Sequence, residues 1–86
     1  MMQVKLVFLA SLRDSLSTQE ESVQLPDGLQ TIADLTTWLH ARGDVWKTHL
    51  SAPKLWRVAQ NHALVSNATL LEPNAEIAFL PPVTGG

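Results

Sequence analysis

The sequence contains no cysteine and few charged residues. Without thiols the chain can form no disulfide, bind no metal through thiolates and use no thiolate nucleophile. Charged residues make up 16% of the 86 residues, whereas about 25% is usual, so we expect part of the surface to be apolar and covered by a partner. The net charge of −2 gives no basic surface for nucleic acid. No apolar run could span a membrane and no signal peptide is present, so we expect a cytoplasmic protein.

Groups able to catalyse a reaction are equally scarce. His40, His49 and His62 are not spaced with acidic residues or with each other as a zinc site requires, so no metal site is expected. The four glycines form no phosphate-binding loop. No serine or threonine is visibly paired with a base, and the carboxylates are scattered. The sequence therefore favours a non-catalytic carrier or substrate protein over an enzyme, with no cofactor bound by this chain alone.

Alternating apolar and polar residues predict the strands of a sheet. In the first strand Val4, Leu6 and Phe8 share the face expected to pack on the core, and Val7 lies on the other. Asn61 and His62 form a tight turn between two of the later strands. The polar stretch 11–17 is expected to be a loop. The predicted strands cover residues 2–10, 20–25, 55–60, 63–65 and 76–80.

The sequence predicts one helix with recognisable start and end signals, beginning after Thr31. Thr31 is a favourable N-cap, and Asp34 three residues later gives a weaker form of the capping box. Apolar residues then follow at spacings of three and four, and Gly43 suits a position just beyond the helix end. A further short turn or helix is expected over residues 45–50, with Asp44 as its cap. The apolar stripe that should face the sheet contains Ile32, Leu35 and Leu39.

This order of elements predicts an α+β protein with a single domain over residues 1–86. A first hairpin, a crossover helix and a last strand beside the first describe a ubiquitin-like β-grasp. We expect a mixed sheet of four or five strands with one main helix on one face. Where Ile77 and Phe79 face the core, Leu80 points outward, and with Leu64 it could form an apolar contact patch.

The last residues carry the strongest functional signal. Pro81 and Pro82 lack the N–H that a sheet requires, so the last strand should end before them and a flexible tail, residues 81–86, should follow. Six extended residues span about 20 Å, enough to reach into a partner's buried site. Gly85 and Gly86 have no Cβ, so a narrow channel can close around them. The terminal carboxylate, with a pKa of about 3.5, is a poor electrophile and must be activated, for example by adenylation.

Three stretches together resemble one family. They are 76–86 (EIAFLPPVTGG), 8–14 (FLASLRD) and 58–65 (VAQNHALV). The chain thereby resembles the MoaD-type sulfur carriers, the small subunits of molybdopterin synthase. The resemblance runs from Val4 to Gly86 and is most specific at the terminus, whereas residues 30–54 match in pattern more than in identity.

The resemblance implies a function for the terminus. In this family an E1-like, MoeB-type enzyme uses ATP to adenylate the terminal glycine, which then becomes a thiocarboxylate and donates sulfur to cyclic pyranopterin monophosphate in the MoaE-type large subunit. The family assembly is a heterotetramer that serves molybdenum cofactor biosynthesis. If the roles known in the family apply to this chain, Gly86 bears the sulfur, and Gly85 and Thr84 let the tail enter the partner's active site. Contacts with the large subunit would come from Leu64, Leu80, Pro81, Pro82 and Val83.

Three other interpretations stay open at this point. The chain could carry sulfur for thiamine thiazole or for tRNA thiolation, since those carriers share the β-grasp and the terminal Gly-Gly. It could be a ubiquitin-like modifier joined to protein lysines, which predicts conjugates of higher mass. It could also be an interaction module with an incidental tail, in which case deletion of Gly86 would leave partner binding and cofactor synthesis intact.

Overall fold

The structure is a computed structural model that describes residues 2–50 and 56–80. Within these ranges it contains five strands and three helices. In chain order the elements are β1 (Met2–Phe8), α1 (Ala10–Leu16), β2 (Glu20–Leu25), α2 (Ile32–His40), α3 (Asp44–Leu50), β3 (Arg57–Gln60), β4 (Ala63–Val65) and β5 (Glu76–Leu80).

The strands form one mixed sheet in the order β2-β1-β5-β3-β4. β1 pairs in parallel with β5, and the other three neighbouring pairs are antiparallel. The predicted first hairpin and the last strand beside the first are therefore confirmed, and with them the β-grasp. The connection between the parallel strands contains α2 and α3, which pack on the face of the sheet that carries Val4, Leu6 and Ile77.

The predicted loop over residues 11–17 is wrong, because this stretch forms α1. Leu12 and Leu16 lie four residues apart and are both buried, so one side of a single helical turn packs on the core. Ser17 ends the helix in the left-handed conformation at φ 53° and donates its N–H to Asp14. β1 correspondingly ends at Phe8, two residues earlier than predicted.

Helix α2 begins as the sequence predicts. The N–H groups of Gln30 and Thr31 donate to Oδ2 of Asp34 at 2.9 and 3.1 Å, and Asp34 N–H donates to Oγ1 of Thr31 at 3.2 Å. The predicted capping box is thus complete. The two backbone donors stabilise the charged carboxylate and lower the pKa of Asp34 below 3.8. Gly43, with φ 150°, lies just beyond the end of the helix.

The short turn predicted over residues 45–50 is helix α3, and its inner side is buried through Trp46 and Leu50. His40 at the end of α2 donates from Nε2 to the carbonyl oxygen of Leu50, with the two atoms 2.7 Å apart. The ring of His40 thereby connects the ends of the two helices. The predicted end of α3 at residues 51–53 lies outside the described residues.

Four aromatic rings lie in a row beneath the end of β5. Phe8 stacks on Phe79 at 5.5 Å between ring centroids. Trp46 meets the edge of Phe8 at 5.4 Å, and Trp56 meets Phe79 at 5.5 Å. Such contacts stabilise the core beyond the area they bury. The point where the chain leaves the sheet is thus anchored from the inner side.

The turn between β3 and β4 consists of Asn61 and His62, as predicted, with φ values of 52° and 73°. Positive φ at both central residues gives the twist that a two-residue hairpin needs. Asn61 also accepts the N–H of Glu76 at 3.0 Å through Oδ1, which ties the hairpin to β5. β3 begins at Arg57, and Leu55, where the strand was predicted to start, lies outside the described residues.

Candidate docking face at the end of the sheet

The described part of the chain stops where the predicted tail begins. Leu80 is the last residue of β5 and pairs with Arg57 of β3. Ile77 and Phe79 are fully buried, whereas Ala78 and Leu80 face the other side of the sheet and stay partly exposed. The predicted outward direction of Leu80 is therefore confirmed. The tail residues Pro81, Pro82, Val83, Thr84, Gly85 and Gly86 lie outside the described residues.

An apolar surface covers the outer face of the sheet at this end. The strand registers place Leu64 beside Ala59, Ala59 beside Ala78, and Ala78 beside Val7. Leu64 is 67% exposed and Leu9 is 43% exposed, although both are large apolar residues. We call this surface the outer patch; it consists of Val7, Leu9, Ala59, Leu64, Ala78 and Leu80.

The middle of the outer patch is formed by two alanines. Ala59 and Ala78 stand side by side on β3 and β5, with Leu64 on one flank and Val7 on the other. Ala59 is 9% exposed and Ala78 is partly exposed, so these short side chains lie lower than Leu64, which is 67% exposed. A partner can therefore seat apolar side chains in this depression.

Sequence reasoning placed Leu64 and Leu80 in the patch and left out the other four residues. Ala59 and Ala78 become neighbours only through the pairing of β3 with β5. The hydropathy of an isolated alanine carries little signal, so the register was needed to find them. Val7 gave a usable signal, because it is apolar on the face of β1 opposite the core.

Charged residues border the outer patch. Nζ of Lys5 lies 3.5 Å from Oε2 of Glu20, and Nδ1 of His62 lies 3.6 Å from Oε2 of Glu76. These side chains are largely exposed, so the contacts add little stability. Glu20 is the register partner of Val7 at the β2 side of the patch, whereas Lys5, His62 and Glu76 lie toward the start of β5.

Arg57 is the one charged residue at the tail end of β3 and β5, and it is exposed. Its guanidinium forms no ion pair or hydrogen bond with residues 2–50 or 56–80. It also lines a groove of about 190 Å³ at the open end of the β3–β4 hairpin, together with Trp56, Val58, Leu64, Val65 and Asn67.

Across the ranges 2–50 and 56–80, no group of three or more histidine, cysteine or acidic residues could hold a metal ion. No helix in the same ranges is long and apolar enough to cross a membrane.

Comparison with known proteins identifies close relatives. The model of the ThiS family matches residues 6–86. The chain is 34% identical over 83 residues to the molybdopterin synthase sulfur carrier subunit of Haemophilus influenzae, covering 96% of this chain and 99% of the relative. The sulfur carrier subunit of the same name from Escherichia coli K12 matches with the same identity and coverage.

A solved structure gives the fold of a similar chain. The complex of subunits 1 and 2 of molybdopterin-converting factor from Helicobacter pylori contains a chain that superposes with a TM-score of 0.68 at 23% identity. The superposition covers 99% of the chain described here and all of the other chain. At this identity the match supports the fold alone.

Proposed function

The chain belongs to the ThiS family, and from this premise we propose that it is the sulfur-carrier small subunit of a molybdopterin synthase. The observation that carries the proposal is the 34% identity to two sulfur carrier subunits of that enzyme across 96% of the chain. In such a carrier the reactive group is the chain's own terminus.

The working group is the carboxylate of Gly86. As a carboxylate it resists nucleophilic attack, so an E1-like, MoeB-type enzyme first joins it to the α-phosphate of ATP with release of pyrophosphate. Attack of sulfide-level sulfur (HS⁻) on the acyl carbon then expels AMP, and after loss of the S–H proton the terminus is a thiocarboxylate. ATP is consumed at the activating enzyme's site, and the carrier binds no cofactor by itself. Thr84 and Gly85 supply the slender backbone that enters that site.

The partner that receives the sulfur is a MoaE-type large subunit, which docks on the outer patch. The patch includes Leu80, the last residue of β5, after which the tail follows. A partner seated there covers the exposed side chain of Leu64 and has the tail at its edge. Burial of this apolar surface contributes favourable free energy to the association. Pro81, Pro82 and Val83 extend the contact along the tail.

The sulfur acceptor is cyclic pyranopterin monophosphate, held in the large subunit. Two carriers, one at each end of a dimer of large subunits, would form a heterotetramer in the cytoplasm, and two transfers of sulfur complete the dithiolene of molybdopterin. The carrier contributes the sulfur and its delivery, whereas the large subunit binds the pterin and catalyses the transfer.

Intact-mass spectrometry tests the proposal. The chain is incubated with an activating enzyme, ATP and a sulfur donor, and we expect one oxygen at Gly86 to be replaced by sulfur. A variant lacking Gly86 is the matched control and should stay unmodified. An unchanged mass in the presence of an enzyme that modifies a known carrier would refute the proposal.

A second step distinguishes molybdopterin synthesis from other sulfur transfers. The thiocarboxylated chain is mixed with a large subunit and the pterin substrate, and in parallel with a thiazole synthase and a tRNA-thiolating system. We expect sulfur to reach only the pterin. Transfer of sulfur to thiazole or tRNA alone would show that the chain is a sulfur carrier but that it does not serve molybdopterin synthesis.

A further inference from the structure

A cation beside the outer patch, Arg57, has no counter-charge within the described chain. Arg57 pairs across the sheet with Leu80, and it stands two residues before Ala59, the neighbour of Leu64. It thus lies between the two leucines that a partner must cover. Any partner that buries both leucines also removes water from the guanidinium of Arg57.

Burying an unpaired guanidinium is strongly unfavourable, since the charge loses its hydration and gains nothing in return. Lys5, the other cation on the outer face of the described strands, already lies 3.5 Å from the carboxylate of Glu20. Arg57 forms no such pair with residues 2–50 or 56–80. The eight aspartates and glutamates of the chain all lie within these ranges, so, apart from the terminal carboxylate that the proposed function uses elsewhere, the compensating charge comes from the partner.

We propose that the large subunit presents an aspartate or glutamate to Arg57, and that this buried ion pair selects the cognate large subunit. The inference rests on the proposed function, because it assumes that the large subunit covers the outer patch. It adds the chemistry of the partner's surface: apolar side chains over Leu64 and Leu80, with one carboxylate between them.

The groove at the open end of the hairpin gives that carboxylate a route. Arg57 forms one wall of the groove, which has a volume of about 190 Å³. The other side chains lining it include Val58, Val65 and Asn67. A partner side chain can thus reach the guanidinium from the side without displacing it. A planar guanidinium favours a carboxylate held by two parallel hydrogen bonds, so a lysine at this position should be a poor substitute.

The pair also provides selectivity. A large subunit with a neutral residue at the facing position would bury Arg57 unpaired, and one with a basic residue would add repulsion. Both cases weaken binding more than the loss of an ordinary surface contact. A sheet face made of leucine, valine and alanine alone would accept many apolar surfaces, so the arginine supplies the discrimination that those residues lack.

Titration calorimetry of carrier variants with the large subunit tests the inference. We expect Arg57→Met to weaken binding by about 30-fold or more, since the partner's carboxylate is left buried and unpaired, and Arg57→Glu by more than about 100-fold. Arg57→Lys should recover only part of the affinity. Lys47→Glu, a charge reversal at an exposed position of α3 on the helix side, is the matched control and should bind as the unaltered chain does.

Reciprocal substitution identifies the partner residue. Each acidic residue on the docking surface of the large subunit is changed to arginine, and one of these variants should bind Arg57→Glu more tightly than it binds the unaltered carrier. Equal affinity of Arg57→Met and the unaltered chain, with the same dependence on salt, would overturn the inference.

A third variant separates this inference from the function on which it rests. If Leu64→Asp weakens binding while Arg57→Met does not, the docking face stands and the ion pair is wrong. If Leu64→Asp also binds normally, the large subunit does not use the outer patch, and both the docking proposal and the ion pair are wrong. The thiocarboxylation of Gly86 is measured by mass and is independent of either result.

Discussion

Strand β5 presents Ile77 and Phe79 to one side of the sheet, and Ala78 and Leu80 to the other. The inner pair is fully buried, and Phe79 stacks between Phe8 and Trp56. The outer pair is partly exposed and borders Arg57, Ala59 and Val7 across the strand registers. Four consecutive residues thus serve two purposes. Ile77 and Phe79 hold the sheet to its helices, and Ala78 and Leu80 leave a surface for a second protein.

The difference between the faces predicts that stability and docking can be separated by substitutions at adjacent positions. The residues that determine stability and those that determine docking lie on opposite faces of the sheet, since successive side chains of a strand point to opposite faces. A residue on the inner face should affect docking only by unfolding the domain. A residue on the outer face should affect docking while the domain stays folded.

The largest effect on stability is expected from Phe79→Ala. Removing a fully buried ring leaves a cavity between Phe8 and Trp56 and should lower the free energy of unfolding by about 3–5 kcal/mol. Denaturant titration followed by circular dichroism measures the change. Phe79→Leu, which keeps most of the apolar volume, should cost less. A loss below 1 kcal/mol for the alanine variant would mean that the aromatic row does not anchor β5.

The next effect concerns the neighbouring residue on the other face. Leu80→Glu should weaken binding of the large subunit by about 30-fold or more, because it places a carboxylate within an apolar contact. The free energy of unfolding should change by less than about 1 kcal/mol, because Leu80 is already partly exposed. A collapsed circular dichroism spectrum would contradict the assignment of strand faces.

An element or surface of this protein could be predicted from the sequence where the contacts that form it join residues close together in the chain. The start of α2 was predictable, because Thr31 and Asp34 are three residues apart and the side chain of each accepts a hydrogen bond from the backbone N–H of the other. Helix α1 was not, since only Leu12 and Leu16 mark its buried side in an otherwise polar stretch. The faces of β5 followed from alternation alone. The outer patch and the unpaired state of Arg57 depend on which strands are neighbours, which local sequence does not specify.

The helix layer provides a third region that should affect stability and leave docking unchanged. Thr31→Ala removes the side-chain acceptor of the Asp34 N–H and should lower the free energy of unfolding by about 1 kcal/mol, or the melting temperature by about 4–8 °C. Thr37→Ala, at an exposed position within the same helix, is the matched control and should not destabilise. Affinity for the large subunit should be unchanged in both variants. A loss of affinity with Thr31→Ala would show that the two sides of the sheet are coupled.

The smallest effect on the free energy of unfolding is expected when the pH is lowered. It arises at the start of α2, where Asp34 lies. Backbone N–H donors at Gln30 and Thr31 hold the pKa of Asp34 below 3.8, the value taken for the unfolded chain. The unfolded chain therefore binds the proton more readily, so this contribution to stability is fully present above pH 3.8 and falls as the pH drops through the folded-state pKa. Asp34→Asn, which carries no titrating carboxyl group, should lose less stability than the unaltered chain between pH 5 and about pH 2. Parallel acid titrations of the two chains, followed by circular dichroism, measure the difference. Curves of equal slope would show that the capping carboxylate is not held in its charged form by these two donors.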